Sequence, residues 1–173
     1  MTAPDRRSTL QLVRHAKSSW ADSSLRDLDR PLSGRGRRAA DALARHVADS
    51  GVRPQVVVCS PATRARQTLT AIDAVLGSRA EIRIDPLVYD GGPDELLGLL
   101  RGLPSSADHA MVIGHNPTIH DLALRLVIHD DSDELARLRA RFPTGAIVTL
   151  SVPSPWDRLT VASAGLLSLW TPR

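Results

Sequence analysis

Residues 55–61 read Gln55-Val56-Val57-Val58-Cys59-Ser60-Pro61, and their pattern dictates the architecture. Three successive valines leave no polar face, so the strand they form must be covered on both sides. That is the environment of an interior strand in a parallel sheet. Ser60-Pro61 closes the strand and starts a helix to about Leu76, with Pro61 suited to its first turn. The same pattern recurs outward along the chain. Thr9–Val13 is a β-prone run that stops at Arg14-His15, Met111–Gly114 is another buried strand, and Ile82–Ile84 is a weaker one. Ser33 can cap a helix over Gly34–Ala48 with Ala39, Ala42, Leu43 and Val47 on one face, ended by Gly51. Gly91-Gly92 turn the chain into a helix at about Pro93–Arg101, and Asn116-Pro117 lead into another through about Ile128. The acidic run Asp130–Glu134 opens a short helix, and Ala146–Val152 and Leu159–Ala164 read as closing strands joined through Pro153 and Pro155. The expectation is a single three-layer α/β/α domain over residues 1–173, its sheet mostly parallel with an antiparallel edge.

Composition narrows the classes. With 42% hydrophobic and 24% charged residues in 173, disorder and fibrous repeats are excluded. One cysteine, Cys59, rules out an intramolecular disulfide framework and a cysteine-based zinc cluster. No run reaches the ~18 apolar residues of a membrane span, and Leu10–Val13 is too short for a signal-peptide core. A cytoplasmic protein with no membrane partner is expected. The charge is less ordinary: of 22 basic residues only Lys17 is not Arg, net charge is +3, and the pI is about 9.9. Residues 1–66 carry 13 basic and 6 acidic groups, so the excess lies in the N-terminal part. Such asymmetry points to an anionic partner. Nucleic acid is a poor choice, because only 3% of residues are aromatic and no recognition motif is present.

The chemistry sits at strand ends, where open α/β sheets bind ligands. The first strand ends in Arg14-His15, the second in Ser60 with Arg64 one turn later, and the third in Gly114-His115-Asn116. If these strands are parallel neighbours, two arginines and two histidines converge. Guanidinium forks match the oxygens of a phosphoryl group, and a neutral histidine among them can attack phosphorus through a ring nitrogen. Neighbouring arginine charges are expected to keep it neutral. No Gly-rich phosphate loop with its Lys is present, and no Gly-x-Ser-x-Gly elbow supports Ser60 as a nucleophile.

Leu12-Val13-Arg14-His15-Ala16 resembles the Arg-His-Gly signature of the histidine phosphatase superfamily, with Ala replacing Gly. Cys59 to Thr68 is similar to that family's second segment, and Val112 to Pro117 to its third. Within the family, Arg14 to Ser18 and Arg30-Pro31-Leu32-Ser33 look most like the compact SixA-type phosphohistidine phosphatases. The resemblance implies a phosphoglycerate mutase-like fold with no cofactor and no metal. His15 would be the nucleophile that becomes phosphohistidine, while Arg14, Arg64 and His115 complete the phosphate pocket. Larger members place a Glu after the second motif as general acid. No residue in 85–95 matches it, and Asp90 is the candidate.

The function implied is a metal-independent hydrolase acting on protein phosphohistidine. The alternatives are a small-molecule phosphomonoesterase of the same family, or a non-catalytic module that holds a phosphorylated partner. A mutase ranks lower, since the short chain offers little room for enclosing insertions. His46, His109, His120 and His129 are expected to pack or to lie at the surface.

Overall fold

The computed structural model describes residues 6–77 and 79–173. Residues 1–5 and 78 of the expected domain lie outside them. Strand β1 (Arg7–Arg14) lies between β4 (His109–Gly114) and β5 (Ile147–Pro153), within a six-stranded sheet of order β3-β2-β4-β1-β5-β6. Strands β3 (Glu81–Ile84), β2 (Val56–Cys59), β4 and β1 run parallel, while β5 and β6 (Gly165–Trp170) are antiparallel. The triple valine is therefore interior, and every residue of β2 is buried. Register sets where the strands stop. Arg14 pairs with Gly114 and Cys59 with Ile113, so β2, β4 and β1 end level with one another. Their next residues are tied across the same rim: His15 N–H donates to Gly114 O at 3.0 Å and Ser60 N–H to Ile113 O at 3.0 Å.

Side-chain alternation feeds two cores. Val13, Val57, Met111 and Ile113 pack with Leu43 and Ile72 beneath helices α1 (Gly34–Ser50) and α2 (Thr63–Leu76). Leu12, Val58 and Val112 point the other way. They join Leu122, Leu135 and Trp156 under α4 (Pro93–Arg101), α5 (Thr118–Leu126) and α6 (Asp133–Ala140). Each such aliphatic side chain contributes about 1.5–3 kcal/mol by burial, which is why a helical layer is needed on both faces. The α/β/α layering is as expected. Among the described residues no helix is long and apolar enough to cross a membrane.

Caps fix the boundaries. Ser33 Oγ accepts from Gly36 N at 3.0 Å, and Gly51, at φ 69°, closes α1. Ser132 Oγ caps α6 by accepting from Leu135 N at 3.2 Å. Two expectations are corrected, and one short helix was not foreseen. Helix α2 starts at Thr63, not Ser60-Pro61, because Ser60 Oγ accepts from Ala62 N and holds the chain in a turn first. A short helix, α3 (Leu87–Asp90), precedes the Gly91-Gly92 turn. The last strand is Gly165–Trp170 rather than Leu159–Ala164. Thr160–Ser163 forms a turn closed by the Ser163 hydroxyl, with Ala162 in the left-handed region at φ 53°.

Candidate active site

The level strand ends bring Arg14, His15, Arg64 and His115 together, as the sequence anticipated. His15 is buried, and its ring centroid lies 4.8 Å from that of His115. Its Nδ1 sits 2.7 Å from the carbonyl oxygen of Ala16. A carbonyl only accepts, so Nδ1 carries the proton and Nε2 keeps its lone pair. That lone pair accepts from Arg64 Nε at 3.3 Å. The imidazole pKa is pushed down to about 4, first by burial and then by the Arg64 and Arg14 charges. Neutrality was expected from the arginines, but burial is the larger cause. His115 is lowered to about 3, again by burial first and then by His15 and Arg64. Its Nδ1 lies 3.4 Å from Arg64 Nη2, and its Nε2 lies 2.7 Å from Ser60 Oγ. Ser60 thus orients His115, with its hydroxyl already engaged at the helix start.

Arg64 is held from a direction the sequence did not reveal. Its Nη1 donates to the Asp27 carbonyl at 2.6 Å and its Nη2 to Asp27 Oδ2 at 2.9 Å. Asp27 belongs to a 3-10 turn, Asp27–Asp29, in the long loop after β1. Tyr89 O–H donates to the same Oδ2 at 2.9 Å, and Arg30 Nη1 to Oδ1 at 2.9 Å. Burial opposes its ionisation, but the hydrogen bonds from Arg64 and Tyr89 hold the Asp27 carboxyl below its ordinary range. The bond to Asp27 in turn raises the Tyr89 phenol. Arg30 continues the network to Ser18 Oγ at 2.6 Å, with its guanidinium 3.2 Å from the Trp20 ring centroid.

These groups enclose a cavity of about 270 Å³ lined by Arg14, His15, Arg64, Arg30, Lys17 and Trp20, with Ser18 and Thr144 completing it. Among the described residues that line it, four are cationic and none is acidic. The volume lies under the ~300–1,000 Å³ of drug-sized pockets, which suits a phosphoryl group with a compact leaving group. Arg14 Nη1 donates to Phe142 O at 3.0 Å, while its Nε is buried with no hydrogen-bond partner among the described residues. Asp27, Arg30, Tyr89 and Thr144 were missed as site residues. The loop of residues 16–32, too long for a plain connection, was the signal for the first two; nothing local marks Thr144. Asp90 is not brought in. It is exposed at the end of α3 and makes no hydrogen bond to His15, Arg64 or His115, and its neighbour Tyr89 reaches the site instead.

Residues 10–90 match the model of the histidine phosphatase superfamily (branch 1). An uncharacterized protein of Mycobacterium leprae is 32% identical over 165 residues, spanning 93% of this chain and all of the relative. A structure from Nakamurella multipartitia that carries the name phosphohistidine phosphatase SixA is 35% identical. It covers 98% of this chain and 99% of its own, with a TM-score of 0.86. The chain belongs to the histidine phosphatase superfamily. A SixA-named structure from Agrobacterium tumefaciens is also similar, at 28% identity and TM-score 0.80 over 95% of this chain and 98% of that one. This histidine phosphatase is thus a hydrolase of the phosphatase class on a phosphoglycerate mutase-like fold.

Its departure from the family signature, Ala16, is accommodated locally. Ala16 is buried beside Leu32 and Ala40, and its backbone does not need the left-handed region. Its N–H donates to Thr68 Oγ1 at 3.0 Å, which ties the end of β1 to α2. The remaining histidines of this phosphatase serve packing or the surface. His46 stacks on Trp170 at 4.6 Å, and His120 Nε2 donates to Leu138 O at 2.6 Å, away from His115.

Proposed function

We propose that the protein is a metal-independent, cytoplasmic phosphatase that removes the phosphoryl group from phosphohistidine on a protein, through a phosphohistidine intermediate on His15. The observation that carries this reading is the tautomer of His15. With Nδ1–H fixed on the Ala16 carbonyl, Nε2 offers its lone pair to the guanidinium-lined cavity at neutral pH. In the first step Nε2 attacks phosphorus and the P–N bond of the substrate breaks. The substrate ring leaves as neutral imidazole when its other nitrogen is protonated. The phosphorylated His15 ring is then cationic, and its Nδ1–H remains stabilised by the Ala16 carbonyl. In the second step water attacks the phosphoryl group and the bond to Nε2 breaks, returning the lone pair. The water's proton passes to phosphate or solvent.

Arg14 and Arg64 supply positive charge where the equatorial oxygens gather negative charge. Their role accounts for the stabilisation without calling on a metal. His115, neutral beside them, becomes the third phosphate contact by taking up a proton as the dianion enters. The choice of substrate rests on the acid. Asp27, the carboxylate bound to Arg64, is held ionised by Arg64 and Tyr89, so it does not wait as a protonated acid for an alkoxide. An imidazole leaving group needs none.

Comparing phosphate release from a phosphohistidine peptide and from an alkyl phosphate tests this. The expected result is a preference of at least about 100-fold in kcat/KM for the P–N substrate, the size of a general-acid contribution. Asp90→Asn should leave both rates within about twofold. Equal turnover of the two substrates, or selective loss of the alkyl activity in Asp90→Asn, would give the small-molecule phosphomonoesterase reading precedence and restore Asp90 as the acid.

A further inference from the structure

A second depression adjoins the phosphoryl cavity. It has a volume of about 550 Å³ and shares Lys17 and Thr144 with the smaller cavity, so the two lie side by side. Its long wall is helix α1. Arg35, Arg38 and Arg45 recur there at spacings of three and seven, which puts them on one stripe of the helix. Gly36, Ala40, Leu43 and Val47 are buried on the opposite face. Between the arginines the floor is made by Ala39 and Ala42, whose short side chains leave a groove instead of a ridge. From Arg35 to Arg45 the helix rises roughly 15 Å.

Charge makes this groove unusual. Arg35, Arg38 and Arg45 are exposed, and among the described residues none of them forms an ion pair. Among the described residues no Asp or Glu side chain lines the groove. Asp41, three residues past Arg38 and four before Arg45, is exposed and pairs with neither among the described residues, so the stripe keeps a net positive charge that favours an anion. An anion in the phosphoryl cavity answers that cavity's own cations, Arg14, Lys17, Arg30 and Arg64, and leaves the α1 arginines unpaired. Among the described residues the groove also has no aromatic lining on which a nucleotide base could stack.

We propose that the α1 groove is a docking site for an acidic segment flanking the phosphorylated histidine of a protein substrate. Carboxylates spaced along that segment pair with Arg35, Arg38 and Arg45 while the phosphoryl group enters the cavity beyond Lys17. The inference rests on the phosphohistidine reading and names the kind of protein that presents it. Complementarity of this kind acts mainly on encounter and specificity. Its signature is therefore in kcat/KM for large substrates, and in sensitivity to salt.

The test uses three phosphodonors: a phosphohistidine peptide with Glu- and Asp-rich flanks, a matched peptide with Gln and Asn flanks, and phosphoramidate. Wild type at low salt should favour the acidic peptide by about 10-fold in kcat/KM, and the preference should vanish near ~0.5 M salt. The triple variant Arg35→Gln/Arg38→Gln/Arg45→Gln, checked for folding by thermal unfolding, should lose the preference and keep its phosphoramidate turnover. Equal kcat/KM for the two peptides in wild type overturns the proposal, as does a preference that survives both salt and the triple variant. Release from none of the three donors would instead sink the phosphatase reading. Fluorescence anisotropy of the unphosphorylated acidic peptide then decides the groove by itself. Binding that weakens about 10-fold in the triple variant supports it, and no binding to wild type overturns it.

Discussion

The proposed attack of His15 on phosphorus needs an unprotonated Nε2, which exchanges its hydrogen bond from Arg64 Nε for the bond to phosphorus, and the chain keeps it unprotonated in two ways. Burial suppresses the imidazolium form, and the Ala16 carbonyl assigns the remaining proton to Nδ1. Imidazole NMR should therefore give titration midpoints for His15 and His115 below pH 5; a midpoint near the ordinary 6.5 for either would contradict the burial argument. Asp27 is the residue whose importance the sequence hid. One Asp in a polar loop of residues 16–32 looks like a solvated charge, and only the folded chain carries it to Arg64 and Tyr89. In the proposed mechanism it acts as a positioning residue, through Arg64. Asp27→Asn should lower kcat by about 10-fold without raising KM, since removing a carboxylate also removes repulsion of phosphate. Arg64→Ala, which deletes the guanidinium itself, should cost about 10²–10³ in kcat and also raise KM. A rise in KM for Asp27→Asn equal to its fall in kcat would mean that Asp27 only holds the loop together.

The site depends on how closely two elements approach. Helix α1 passes so near the loop after β1 that a Cβ on Gly36 would lie 2.0 Å from the Lys17 carbonyl oxygen. Gly36→Ala should then push Lys17 outward, destabilising by about 1–3 kcal/mol and weakening phosphate binding with it. Gly98 is the control: it is exposed within α4, and an added Cβ meets nothing within 4 Å. Gly98→Ala should stabilise by about 0.5–1 kcal/mol. Chemical denaturation of both variants checks this, and a Gly36→Ala protein as stable as wild type would refute the close approach. Elements with strong local signals were legible. The valine run placed β2, and Ser33 and Gly51 bounded α1. The final strand was not, because Leu159–Ala164 is as apolar as a strand but turns back through the Ser163 hydroxyl. The true strand, Gly165–Trp170, lies at a sheet edge with Leu167 exposed, which blurs the alternation that would mark it. Pro61 misled for a similar reason, since the Ser60 hydroxyl spends a turn before α2 can begin.

Across the whole molecule, the N-terminal excess of basic residues finds its use where β1, α1 and α2 meet. Arg14, Lys17, Arg30 and Arg64 line one cavity, and the α1 arginines line the groove beside it. Concentrating cations around two buried neutral histidines has a consequence for stability. Below about pH 6.5 the unfolded chain's histidines take up protons that the folded ones refuse, down to about 4 for His15 and 3 for His115. Stability is therefore greatest above this window and falls as pH drops through it, by a few kcal/mol in order of magnitude for the pair. His15→Ala/His115→Ala should flatten that part of the stability-against-pH curve, and an unchanged slope would place its origin elsewhere. The convergence of three motifs was legible because each ends a strand and the register levels those ends; the cation ring around them required the loop and the helices to fold. In the proposed mechanism, catalysis by this ring turns on a covalent bond between His15 and phosphorus. Rapid quench of the enzyme and ³²P-phosphoramidate into alkaline detergent, followed by peptide mapping at alkaline pH, measures that bond directly. An acid-labile, alkali-stable label is expected on His15 in wild type and none in His15→Ala. Phosphate release at the wild-type rate by His15→Ala, or a label on any other residue, would contradict it.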